Sequence, residues 1–162
     1  MTTGRLEAFS DGVFAVAITL LVLDIHPPTD ARGGSDLWRR LGDLWPHYAA
    51  YVVSFLVIGI VWVNHHAVLE LIREVDRRFA FLNLLLLMSI ALIPFATALL
   101  ADYLSTGGGP GHTAAAAYSA VISLTGVAFL SAGVCLGMHA LLAVYYALSR
   151  RGGGMARPAG LA

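Results

Sequence analysis

Four long apolar stretches divide the chain, separated by short segments rich in proline, glycine and charge. A bilayer core takes about 20 residues of helix to cross. The stretches therefore predict membrane-spanning helices at about residues 5–25, 45–66, 79–100 and 115–148. In the first, the strictly apolar part from Gly12 to Leu23 is short, which puts Phe9, Ser10 and Asp11 at or just inside the interface. Pro27 and Pro28 stop that helix. Pro46 falls near the start of the second, where its missing N–H costs nothing. Pro94 predicts a kink or opened last turns in the third. The run from Ser105 to His112, with four glycines and a proline, reads as a flexible loop. The fourth helix is longer than a bilayer needs, so it tilts or protrudes. Residues 36–44 predict a short amphipathic helix on the membrane surface, because Leu37, Leu41 and Leu44 share a face.

Composition agrees with that pattern. Hydrophobic residues make up 58% of the chain and charged residues 12%, where a soluble domain carries about a quarter charged. The expected class is an all-α integral membrane protein, a four-helix bundle per subunit. Residues 1–150 form the transmembrane domain and residues 151–162 a Gly/Ala/Pro tail, expected to be disordered. Every basic residue is arginine, net charge is zero, and no basic patch points to nucleic acid. The lone Cys135 excludes an intrachain disulfide and suits a small packed or lipid-facing position. Glu7 and Asp11 stand where a secretion signal would be basic, and no small-x-small site follows the first run, so that run is read as a retained helix. Arginine placement orients the bundle. Arg5, Arg73, Arg77, Arg78, Arg150, Arg151 and Arg157 fall on one side, against Arg32, Arg39 and Arg40 on the other. That asymmetry places both termini in the cytoplasm.

Polar residues at the helix ends carry the candidate chemistry. Val16, Thr19, Leu20 and Leu23 follow the i, i+3, i+4, i+7 spacing of one helical stripe. Asp11, Phe14 and Ile18 share a different face, roughly opposite. A charge inside the membrane costs a few kcal/mol unless it is paired. Asp11 is thus either a functional or helix-locking acid, or an N-terminal acid that snorkels and complements the helix dipole. Trp62 and His66 are four apart and share a face. At the same depth as Ser10 and Asp11, they can complete a hydrogen-bond network; the simpler role for Trp62 and the His65–His66 pair is interfacial. A metal site is the weaker alternative, because adjacent histidines on one helix do not easily share an ion and no acid cluster joins them in sequence. No nucleophile elbow surrounds Ser10, so an enzyme is not expected. His139 reads as a satisfied bundle histidine. Asp24 and Asp102 sit at outer helix ends, where solvation explains them; Asp24 can also concentrate cations at a mouth.

The segment from Arg5 to Leu23, with Arg, three residues, then Phe-Ser-Asp running straight into an apolar helix, closely resembles the opening of the bacterial transmembrane protein 175 family of potassium channels. The second helix ending Trp62, Asn64, His65, His66 and the stretch Leu92 to Thr97 in the third also resemble it. The resemblance covers residues 5–104 well and the fourth helix loosely. It implies a homotetramer whose first helices line a central pore without a carbonyl filter. Val16, Leu20 and Leu23 would form the apolar constriction, with Thr19 in the hydroxyl position linked to selectivity. Arg5, Phe9, Ser10 and Asp11 would anchor the pore helix against Trp62, Asn64, His65 and His66. Val16 stands where the family usually carries isoleucine or leucine, which implies a wider ring. Family members of bacterial type have six helices per unit, and four are evident here.

The leading expectation is a passive, potassium-selective or potassium-permeable channel in a bacterial plasma membrane. Its partners are K⁺, the bilayer and copies of itself, with no cofactor and no resident metal. A narrow apolar ring that strips or excludes water sets the barrier. The alternatives are a proton-conducting or proton-coupled transporter in which Asp11 and His66 titrate, and a non-conducting assembly protein.

Overall fold

A computed structural model describes residues 3–72, 76–104 and 108–152. Arg73, the 153–162 tail and the side chains of Cys135 and His139 lie outside the described residues. The chain is helical throughout its spans: α1 (Thr3–Leu20), a 3₁₀ turn (Leu21–Asp24), α2 (Gly34–Asp43), α3 (Trp45–Glu70), α4 (Arg77–Tyr103) and α5 (Gly108–Gly152). Four of these segments are long and apolar enough to cross a membrane: Thr3–Asp24, Trp45–Glu70, Arg77–Tyr103 and Gly108–Ser131.

The first span is not α-helical to its end. Its last turn tightens to 3₁₀ over Leu21–Asp24 before Pro27 and Pro28. Asp76 caps α4 by accepting from the Phe79 N–H at 2.6 Å. Pro94 does not open the last turns: α4 stays helical to Tyr103, with Pro94 inside it. The loop expected up to His112 is shorter than its glycines suggest, since α5 begins at Gly108. Pro110 lies in the first turn of α5, where an N–H has no helical partner in any case. Gly108 has φ +62°, which favours glycine, and a Cβ on Gly111 would come within 3.1 Å of the Tyr103 carbonyl. Those glycines let the start of α5 lie close against the end of α4.

α4 is the central element, packed against α1, α3 and α5. Among the described residues it accordingly buries the most positions, from Phe79 and Asn83 through Ile90 and Ile93 to Thr97 and Ala101. The main core joins Phe14, Ala17 and Leu21 to Ile58 and to Leu86, Leu87, Ile90 and Ile93. A smaller cluster of Leu6, Leu69 and Phe79 closes the end that holds the N-terminus. Buried positions also include Ser10, Ser54, His65, Asn83, Ser89, Thr97 and Thr125, while Val16, Leu23, Ile60, Phe81 and Phe95 are exposed. In water that distribution would be costly; in lipid, large apolar side chains face the solvent and small or polar ones pack inside.

α2 lies outside the bundle and touches α3. Asp36 organises it: its carboxylate accepts from the Arg32 backbone N–H at 3.0 Å, from Arg39 at 2.7 Å and from Arg40 at 2.9 Å. The Arg32 N–H first, then the two guanidinium groups, hold the Asp36 carboxyl well below the usual carboxylate range.

Candidate functional site

α1 presents two faces. Leu6, Ser10, Phe14 and Ala17, continued by Leu21, turn inward onto α3 and α4. Val16 (57% exposed), Leu20 (44%) and Leu23 (68%) turn outward, together with Thr19. The 3₁₀ turn refines this stripe. In an α-helix Leu23 would sit about 60° round from Leu20, but residues three apart eclipse in a 3₁₀ turn. Leu23 therefore falls nearly in line with Leu20. The Thr19 hydroxyl donates to the Val16 carbonyl at 2.9 Å, which leaves its oxygen lone pairs facing outward. Phe9, half exposed, lies on this side too: it lines a shallow apolar groove with Gly12, Val13, Val16, Leu20 and Ala91. Asp24 ends the 3₁₀ turn, half-buried, and its carbonyl lies 3.0 Å from His26 Nδ1. Nearby in the fold, His47 at the start of α3 is 3.3 Å from the Asp102 carboxylate at the end of α4.

At the N-terminal end of α1 the structure forms two networks where one was expected. The inner network is buried. Ser10 donates to the Leu6 carbonyl at 2.8 Å and accepts from the Asn83 amide at 3.0 Å. The Asn83 carbonyl oxygen lies 2.7 Å from His65 Nε2, so that nitrogen carries the proton. The His65 ring also packs on Phe14, with centroids 5.4 Å apart. Asn83 bridges three helices with one side chain. The outer network is half-exposed. The Trp62 indole N–H donates to Asp11 Oδ1 at 2.9 Å. Its ring stacks on His66 at 6.0 Å. His66 Nδ1 lies 3.3 Å from Glu7 and Nε2 lies 3.6 Å from Glu70.

Of the residues expected to anchor α1, Ser10, Asp11, Trp62, His65 and His66 are brought together. Three stay outside. Phe9 is on the opposite side, Asn64 is exposed and donates to its own helix at the Ile60 carbonyl, and Arg5 is exposed with no hydrogen bond or ion pair to another described residue. Asn83 and Glu7 were not foreseen. A lone amide inside the run Phe79–Leu87 is itself a signal, because an unpaired amide in hydrocarbon is costly. Glu7 is i−4 from Asp11 and shares its face. A third polar cluster, also unforeseen, ties α3, α4 and α5: Ser54 lies 2.7 Å from Thr97 and 3.1 Å from the Tyr118 hydroxyl, and Thr97 donates to the Ile93 carbonyl at 2.8 Å. Each hydroxyl has one proton. Thr97 is the donor toward both Ser54 and the Ile93 carbonyl, so its single proton is shared between them, and Tyr118 completes the cluster through Ser54.

Residues 5–94 match the family described as endosomal/lysosomal potassium channel TMEM175. Over 128 residues the chain is 59% identical to a potassium channel of Streptomyces collinus, a match covering 78% of this chain and 61% of that one. It is 52% identical over 103 residues to a potassium channel of Chamaesiphon minutus, covering 63% of this chain and 51% of the other. The chicken endosomal/lysosomal proton channel TMEM175 is 37% identical over 106 residues, covering 61% of this chain and 21% of that one. Among solved structures, a lysosomal potassium-selective channel TMEM175 homolog from Chamaesiphon minutus superposes with a TM-score of 0.75 at 39% identity, covering 93% of this chain and 80% of the other. The chain thus spans between half and two thirds of the length of these two bacterial relatives.

Proposed function

This chain belongs to the TMEM175 channel family, and on that premise we propose that it conducts potassium passively through a pore formed by four copies. α1 of each copy faces the axis. Val16, Leu20 and Leu23 form the apolar constriction, Thr19 supplies a ring of hydroxyl oxygens, and Asp24 stands at the outer mouth. Ser10, Asp11, Trp62, His65 and His66 fix α1 to α3 and α4. Both termini are cytoplasmic in a bacterial plasma membrane. K⁺ is the permeant partner, and the reading calls for no cofactor.

The observation that carries this is the two-sided packing of α1. One face is bonded into the subunit through Ser10 and Asp11. The other leaves Val16, Leu20 and Leu23 exposed in line. Asp11 lies off that line, so ions meet apolar carbons and the Thr19 oxygens, and the barrier is the cost of shedding water. A second reading, proton conduction, draws on the carboxylates beside His66 and on the animal relatives named proton channels.

The test is flux from liposomes holding the purified full chain, with K⁺, Na⁺ and H⁺ gradients applied in turn, and the oligomer mass measured in detergent. Potassium flux above sodium flux from a tetramer supports the channel. Proton flux without potassium flux, abolished by Asp11→Asn, selects the second reading. A stable tetramer passing no ion refutes both.

A further inference from the structure

We propose that Glu7, Asp11 and His66 form a divalent transition-metal site of the Zn²⁺ or Co²⁺ type, clipping the first turns of α1 to the last turns of α3. Helix geometry assembles the donors. Glu7 and Asp11 are four apart on α1 and project from one face. His66 comes across from α3. One donor atom from each residue lies within 4.8 Å of the others. A tetrahedral ion with bonds of about 2.0–2.2 Å holds its ligands roughly 3.3–3.6 Å apart, so small side-chain rotations close the set.

A second observation points to a cation. The His66 Nδ1 atom is shielded from solvent, though the side chain is 41% exposed, and it faces Glu7 Oε1 at 3.3 Å without hydrogen-bond geometry. The other ring nitrogen faces Glu70 at 3.6 Å. With the proton on Nε2, the Nδ1 lone pair meets a carboxylate, acceptor against acceptor. A cation between them resolves that opposition, as a proton on Nδ1 also does, and the titrations below tell the two apart. The surroundings suit metal ligands: Glu70, 3.6 Å from the non-ligating imidazole nitrogen, can reach hydrogen-bond distance by a small rotation and orient the ring, and the Trp62 N–H on Asp11 Oδ1 leaves Oδ2 for an ion. One imidazole and two carboxylates favour a borderline transition ion over Mg²⁺ or Ca²⁺, with a fourth position for water.

The experiment uses the full chain in detergent, stripped with a chelator and titrated with Co²⁺ by visible absorption and with Zn²⁺ by calorimetry. The expected result is saturable binding of one ion per chain, with a Co²⁺ spectrum showing nitrogen ligation. His66→Ala and Glu7→Gln should abolish it. Glu70→Gln, at an exposed side chain outside the donor set, should weaken it about 10- to 100-fold. Unchanged helical circular dichroism and melting in chelator show that a variant has folded; if His66→Ala fails that check, Glu70→Gln decides. No saturable binding, binding unchanged in His66→Ala, or affinity unaltered in Glu70→Gln overturns the site. An imidazole that gains a proton in place of a metal, seen by NMR as an ordinary titration untouched by Zn²⁺, also overturns it. No current is measured, so failure here leaves the conduction reading standing.

Discussion

Ser10 and Asp11 are neighbours in the chain, yet Ser10 is bonded to Asn83 of α4 and Asp11 to Trp62 of α3. Successive residues of a helix point about 100° apart. The motif thereby reaches two partner helices at once, and α1 is fixed in rotation as well as position. Rotation matters because it decides which side chains line the exposed stripe.

Asn83→Ala removes the bridge and leaves Ser10 and His65 buried without it. We expect a loss of about 1–3 kcal/mol, larger than for Ser10→Ala, read as thermal stability in detergent. Equal losses for the two variants would show that Asn83 is not the hub.

Trp62→Phe keeps the ring stacked on His66 and removes only the N–H to Asp11. The expected cost is about 0.5–1.5 kcal/mol, the usual worth of a hydrogen bond within a membrane bundle. Asp11→Ala should damage assembly or expression more than permeation. A normal tetramer with altered conductance alone would contradict the anchoring role.

Leu23→Ser or Val16→Ser should raise conductance and blur potassium over sodium selectivity by widening and wetting the apolar ring. Thr19→Val should reduce selectivity and leave stability unchanged, since Thr19 is exposed. Currents unaltered by all three would count against α1 as the pore helix.

Tyr118→Phe removes one hydroxyl partner of Ser54. Ser54 still accepts from Thr97, so the loss should be mild, about 0.5–1.5 kcal/mol. Ser54→Ala should cost more, because it breaks both links. Melting curves of the two variants give the comparison.

Asp36 governs α2 and responds to pH with a definite sign. Its folded pKa is depressed by the Arg32 N–H and by Arg39 and Arg40. Its contribution is present above the unfolded value near 3.9 and is lost as pH falls through the lower folded value. Asp36→Asn at neutral pH should speed proteolysis between residues 29 and 44 while the melting of the bundle stays unchanged. Loss of the whole bundle would mean that α2 supports more than itself.

The fold was legible from length and composition, because a spanning segment satisfies its backbone within lipid only as a helix or in a closed barrel, and runs of about 20 apolar residues mark helices. The outward stripe was legible as well, since its spacing is a property of α1 alone. Inside the bundle the sequence is ambiguous. Helices that are apolar all round do not declare which face packs, so the position of Asn83 between Ser10 and His65 could not be read from α4 by itself. The parting of Ser10 from Asp11, the meeting of Glu7 with His66, and the placing of Phe9 on the outer side depend on how α1 is rotated against α3 and α4. That rotation is decided by contacts between residues far apart in the chain. The 3₁₀ turn that brings Leu23 into line with Leu20 also belongs to the structure, because the spacing of Leu20 and Leu23 is the same in either helix type and only the backbone winding separates them.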